Sequence, residues 1–314
     1  MTNRLLTLLA DRPAVFDGGY GWLLQERGLP AGECAESWNV DNPDAVARLH
    51  DEYAAAGAVI ITTNTFGATE PRLAAHGLSG RAEEVNRAGA AIAREVADRH
   101  AVLVAGDIGP TGELLEPLGT LTAQQATALF AEQVRGLAAG GADLILIETM
   151  SDLGEASAAV AAAREVAPDL PVVVTMSFDT NLRTMMGVSP AAAVAALAAA
   201  GADAVGANCG RGPDEMRTIA EQLVAARPEG LLLVAQSNAG LPALEGDKFV
   251  YTVGPEAMGE HAVELRDLGI DVIGACCGSS PEHIGEMAAA LAGRKVYQVE
   301  QRFHTFGHQH HEGG

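Results

Sequence analysis

Residues 142–178 read ADLILIETMSDLGEASAAVAAAREVAPDLPVVVTMSF. A short apolar run, LILI, ends at Glu148, and an alanine-rich amphipathic stretch follows. A second apolar run, VVV, then leads to Ser177. Neither run alternates with polar residues, which marks strands buried on both faces. Asp152 and Glu155 fall in the first turn of the intervening helix, where carboxylates complement its dipole. The segment is a β–α–β unit. Such units build a parallel sheet with right-handed crossovers.

The same pattern extends in both directions. The remaining runs are AVFDGG near 14, AVIITTNTF near 58, VLVAGDIGP near 102, ADAVGANCG near 202, LLLVAQSN near 231 and DVIGACCG near 271. Helical patterns such as NPDAVARLHDEYAAAG, TAQQATALFAEQVRGLAAGG and SPAAAVAALAAAGA lie between them. Asn42 before Pro43 and Ser280 before Pro281 place a polar cap ahead of a first-turn proline. Gly57, Gly141, Gly201 and Gly269 stand where helices should stop. Eight strand–helix units predict an α/β fold, a (β/α)8 TIM barrel forming a single domain over residues 1–294. The alternative is an open doubly wound sheet. It would carry GxGxxG after the first strand, and DGGYGW at 17–22 does not supply it. The opening MTNRLLTLLADRP reads as a leading helix rather than a signal peptide. Residues 295–314 read as a flexible tail rich in histidine (His304, His308, His310, His311), at best an adventitious metal binder.

Composition narrows the function class. The 314 residues carry 20 Lys plus Arg against 41 Asp plus Glu, a net charge of −21. That balance argues against nucleic-acid binding, which needs clustered cations. No apolar run reaches the roughly 20 residues that span a bilayer. Four cysteines are too few for a disulfide framework in a chain of this length. The expectation is a cytoplasmic protein with reduced thiols, free to form oligomers.

In such a barrel the active site lies at the C-terminal ends of the strands. The residues ending the runs are Asp17, Asn64, Asp107, Glu148, Ser177, Asn208 with Cys209, Gln236 to Asn238, and Cys276 with Cys277. Cys209 in GANCG and the pair in GACCG follow the sixth and eighth runs, bracketed by glycine. Three thiolates from two loops suit a tetrahedral Zn²⁺ with one open position. A substrate thiol entering that position would lose its proton at neutral pH and remain nucleophilic. Cys34 has no such setting. Asn64, Asp107 and Asn238 read as loop organisers that bond the backbone.

Taken in order, FDGGYGWLLQERG, ITTNTFGAT, GDIGPTGELLEP, ADLILIETMSD, GANCGRGPDEM, QSNAGLP and IGACCGSSPEHI resemble the zinc-dependent homocysteine S-methyltransferases. The resemblance spans about residues 12 to 293 and is nearest the homocysteine-binding domain of cobalamin-dependent methionine synthase. Betaine–homocysteine methyltransferase belongs to the same group. The family's usual GGCCG is GACCG here, with Ala275 in place of one glycine. The resemblance implies that Cys209, Cys276 and Cys277 hold zinc. It implies that Asp17 and Glu148 hold the substrate ammonium, and that backbone N–H groups of Gly18 and Gly19 receive its carboxylate. Asn208 is expected beside the substrate as a supporting residue. The implied reaction forms methionine from L-homocysteine, with zinc activating the sulfur and no side chain needed as a base. The donor stays open between methylcobalamin on a separate corrinoid protein and a small onium compound such as S-methylmethionine, S-adenosylmethionine or a betaine. Two other readings also stay open: a homocysteine-binding subunit of a split corrinoid-dependent enzyme, and a methyltransferase for another thiol or a selenol.

Overall fold

The computed structural model describes residues 3–10, 14–240, 242–246 and 248–294, without the side chains of Cys209, Pro242, Lys248, Phe249 and Arg294. The predicted tail, with its four histidines, lies outside the described residues.

Seven parallel strands form one sheet: β1 (Ile60–Thr62), β2 (Leu103–Ile108), β3 (Leu144–Met150), β4 (Val172–Met176), β5 (Ala204–Cys209), β6 (Leu232–Ser237) and β9 (Val272–Ala275). They lie in chain order, each hydrogen-bonded to the next. All seven coincide with predicted runs. The remaining run is reduced to two isolated parallel bridges, Val15 with Ile273 and Phe16 with Ile60. Phe16 N–H donates to Ile273 O (2.9 Å) and Asp17 N–H to Ile60 O (3.1 Å). Residues 14–17 therefore touch both edge strands of the sheet.

The core has two layers. One cluster lies between the sheet and the helices around it, and alanine fills much of it. This is what the alanine-rich helices predict, because small side chains let helix and sheet approach closely. A second cluster gathers Ile60, Leu103, Leu144, Val173, Ala204, Val234 and Val272, one from each strand, with Phe16. A single cluster touched by every strand requires a curled sheet. Leu5 and Leu9, from the helix Arg4–Leu9, complete it. That helix is pinned by Asn3, whose amide donates to Asp203 O and Gly230 O (both 2.8 Å).

The four expected glycine stops all cap helices, with φ between +103° and +122°. Ser280 caps Pro281–Ala289 in a reciprocal box with His283, whereas Asn42 caps Pro43–Ala56 without a side-chain bond. One element was not anticipated. After β6, where a helix was expected, the chain first forms an antiparallel hairpin of β7 (Pro242–Glu245) and β8 (Lys248–Tyr251). The helix Pro255–Leu268 follows it. Among the described residues, no helix is long and apolar enough to cross a membrane.

Candidate active site

A cavity of about 420 Å3 opens at the C-terminal ends of the strands. That size is ordinary for a small-molecule site. Its wall carries Asp17, Glu36, Asp107, Glu148, Cys276 and Cys277, with the turn Gly18–Gly19, and among the described residues no Lys, Arg or His. Its character is therefore anionic and sulfur-bearing, suited to a cationic or zwitterionic ligand.

Asp17 lies at the bridge that joins the edge strands and is 2% exposed. Three donors hold its carboxylate: Thr62 N–H to Oδ2 (2.7 Å), Tyr20 O–H to Oδ2 (2.6 Å) and Thr62 Oγ1 to Oδ1 (2.8 Å). Burial pushes its pKa up to about 7, while the bonds from Tyr20 and Thr62 pull the other way. The Tyr20 oxygen also lies 2.6 Å from His50 Nδ1. Tyr20 donates its only proton to Asp17, so His50 carries its proton on Nδ1. Burial lowers the His50 pKa to about 3, keeping the ring neutral.

The Gly18–Gly19 turn packs against the loop that follows β9. A side chain on Gly18 would lie 2.4 Å from Ser279 Oγ and 2.9 Å from the Tyr53 hydroxyl, so only glycine fits. The Gly19 N–H, expected to receive a substrate carboxylate, instead donates to Ser279 Oγ (3.0 Å). Ser279 in turn donates to Cys276 O (2.6 Å). The turn and the cysteine loop are thus tied by one hydroxyl, and that N–H has a partner already.

Glu148 sits at a register shift in β3, between Ile147 and Met150. Thr149 there adopts φ +64°, a left-handed conformation that strains a β-branched residue. Asn208 holds it. Asn208 Oδ1 accepts from Thr149 N–H (3.0 Å) and Thr175 Oγ1 (2.9 Å), and its amide donates to Thr149 Oγ1 (2.6 Å). Asn208 was expected beside the substrate. It is 1% exposed, is absent from the cavity wall, and instead fixes the backbone that aims Glu148.

Asp107 corrects another expectation. Asn64 organises loops as predicted, donating to Ala35 O (2.8 Å). Asn238 does so too, donating to Gly210 O (2.8 Å) and accepting from Cys277 N–H (3.0 Å). The Asp107 side chain does not; it lies beside Glu148 in the cavity wall. Burial first, and then the neighbouring Glu148, hold the Asp107 pKa well above the usual carboxylate range. Glu148 is also raised by burial, with its hydrogen bond to Asp107 opposing. Two carboxyls so placed share a proton. Tyr20, Thr62 and Glu36 were missed altogether, since a tyrosine or threonine in a loop motif carries no chemical signal of its own.

Cys276 and Cys277 follow β9 and line the cavity. Gly278, at φ +78°, makes the turn, and the Tyr251 ring lies where its side chain would be. Cys209 ends β5, whose last residue pairs with Ser237 of β6; Ser237 pairs with Ala275 of β9. Its backbone therefore sits two strands from the cysteine pair, at the same sheet end. Its side chain lies outside the described ones. Among the described residues, no three His, Cys, Asp or Glu side chains are grouped to hold a metal. The donor set nonetheless fits a thiophilic metal: adjacent cysteines on a glycine-hinged turn, facing a cavity whose described wall holds no competing cation.

"Methionine synthase" of Mycobacterium leprae (strain TN) is 33% identical over 304 residues, covering 92% of this chain and 25% of that protein. "Methionine synthase" of Mycobacterium tuberculosis (strain ATCC 25618 / H37Rv) is also 33% identical, over 93% of this chain and 26% of its own length. The chain thus spans about a quarter of the length of these curated relatives. The metallated form of homocysteine methyltransferase MmuM from Escherichia coli shares the fold, with a TM-score of 0.77 at 22% identity over 91% of this chain and 99% of that one. A methyltransferase from Methanosarcina mazei superposes with a TM-score of 0.60 at 14% identity, over 94% and 98% of the two chains. Residues 14–291, from the bridge before Asp17 to the helix after the cysteine pair, match the family described as homocysteine S-methyltransferase. The chain belongs to the homocysteine S-methyltransferase family.

Proposed function

We propose that this chain transfers a methyl group to the thiolate sulfur of L-homocysteine, forming methionine, with Zn²⁺ held by Cys209, Cys276 and Cys277. One observation carries the reading. The cysteine pair and the strand-end carboxylates Asp17 and Glu148 line the same cavity, so thiol and amino acid are recognised in one place. Bound zinc supplies the positive charge that keeps a substrate sulfur ionised at neutral pH.

The chain's own residues do the rest. Glu148 and Asp17 attract the ammonium group, and among the described residues the wall holds no cation to compete with it. The Gly18–Gly19 turn faces the substrate carboxylate. Asn208 and Ser279 fix the two loops, so the sulfur is presented in one orientation. The carbon–sulfur bond then forms as the donor's bond to its methyl breaks, and that electron pair leaves with the donor. The thiol proton has already gone, so no side chain acts as a base. Catalysis is activation plus alignment.

We further infer that the bridges at Val15 and Phe16 act as an eighth strand and close the sheet into a (β/α)8 barrel over residues 1–294, with 295–314 as an appended tail. Thiolate ligands suit a reducing, cytoplasmic setting.

The donor is methylcobalamin on a separate corrinoid protein or a small onium compound. The likeness to methionine synthases favours a second reading: a homocysteine-binding subunit that acts only with a corrinoid partner. The test is a donor panel offered with homocysteine to isolated, zinc-loaded protein. Turnover with any small donor supports the self-sufficient enzyme. Turnover only with a methylated corrinoid protein supports the subunit. Homocysteine left unmethylated by every donor contradicts both, and preference for another thiol or a selenol in competition reassigns the acceptor.

A further inference from the structure

Asp107 is the penultimate residue of β2, beside Glu148 on β3, and is 3% exposed. Its backbone is engaged: its N–H donates to Thr63 Oγ1 (2.9 Å), and its carbonyl accepts from Thr65 Oγ1 (2.6 Å). Its side chain is different. Oδ1 is buried and has no hydrogen-bond partner among the described residues. A buried acceptor without a donor carries its full desolvation cost. Nothing in the local fold explains it, since the loop is already held by Thr63 and Thr65.

The contrast with Asp17 is informative. Asp17 already accepts three hydrogen bonds from Tyr20 and Thr62, so most but not all of its acceptor capacity is used before a ligand arrives. Asp107 holds the unmet oxygen. The same wall carries a second unmet acceptor, Gln236 Oε1. An ammonium group brings three N–H donors and one positive charge, which is what these acceptors lack.

We propose that Asp107 is a third substrate-contacting carboxylate, taking the ammonium group of the amino-acid substrate together with Glu148. The proposal rests on the homocysteine reading above and names the residue that selects an amino acid over a simple thiol. The titratable groups around Asp107 are the carboxyls of Glu148, Asp17 and Glu36 and the Tyr20 phenol, none of them a cation. Before substrate binds, one proton sits between Asp107 and Glu148. When the ammonium enters, both carboxyls ionise against it and that proton leaves to solvent, so charge balances.

The experiment compares the zinc-loaded full chain with Asp107→Asn and Asp107→Ser by titration calorimetry. The ligands are L-homocysteine and 4-mercaptobutanoate, the same thiol acid without the ammonium group. Asp107→Asn preserves size and can still bond Glu148, so a purely supporting role survives it. The expected result is a loss of homocysteine affinity of about tenfold or more in both variants, with the 4-mercaptobutanoate affinity unchanged. Calorimetry in buffers of different ionisation heat should also show that homocysteine releases more protons than 4-mercaptobutanoate from the parent chain, and that Asp107→Asn removes the difference. If Asp107→Asn keeps the parent's discrimination between the two ligands, or weakens both equally, the assignment of Asp107 is overturned. If the parent chain itself fails to discriminate them, the homocysteine reading falls and this assignment with it.

Discussion

Asp17 shows how a few hydrogen bonds tune one carboxylate. Burial raises its pKa to about 7, and the Tyr20 bond is the largest influence pulling it down. Only the ionised form attracts an ammonium, so homocysteine affinity should rise as pH increases through about 7. Tyr20→Phe removes the hydroxyl that bridges Asp17 and His50. The pKa then climbs, and the rise in affinity should move to higher pH than in the parent; a pH series of the KM for homocysteine measures it. An unmoved profile would show that Asp17 does not titrate with binding. Asp17 and the cysteine pair were legible in the sequence because each stands at a strand end beside glycine. Asp107 was legible as a position but not as a role. An aspartate before Ile-Gly-Pro reads as a turn organiser, and only packing shows that Thr63 and Thr65 do that work instead.

At the scale of elements, the end of β3 sets the aim of Glu148. A strained Thr149 stays left-handed because Asn208 supplies three hydrogen bonds to Thr149 and Thr175. Strain of this kind persists only where the surroundings enforce it. Asn208→Ala should therefore lower stability by about 1–3 kcal/mol and raise the KM for homocysteine, as read by thermal unfolding and steady-state kinetics. A stability loss with an unchanged KM would show that Glu148 is aimed by other contacts. The parallel sheet and glycine-capped helices were readable, because apolar runs without alternation and a glycine stop are local signals. The β7–β8 hairpin was not. Its pairing is an antiparallel contact between PALE and KFVY, and the Gly246 turn between them reads from sequence as an ordinary loop. Its packing of Tyr251 against Gly278 and Trp22 is a tertiary fact with no sequence period.

Across the whole molecule, two buried histidines impose an acid limit. His261, beside Ser237 Oγ (2.8 Å), has its pKa lowered by burial to about 4, and His50 to about 3. Both are neutral when folded, whereas unfolded histidine protonates near its ordinary 6.5. Their stabilising contribution is therefore present above pH 6.5 and is lost as pH falls toward 4 and 3. His261→Asn should remove on the order of 3 kcal/mol of that acid sensitivity, seen as a shallower fall in unfolding free energy between pH 6.5 and 4. An equally steep fall would assign the sensitivity elsewhere. The curled sheet brings seven strand ends to one mouth, and the central claim is that a metal there has a place for the substrate's sulfur. Sulfur coordination of the zinc-loaded chain, measured by X-ray absorption at the zinc edge before and after adding L-homocysteine, tests it directly. The account predicts three protein sulfurs, rising to four when homocysteine binds. A zinc environment unchanged by homocysteine would contradict it.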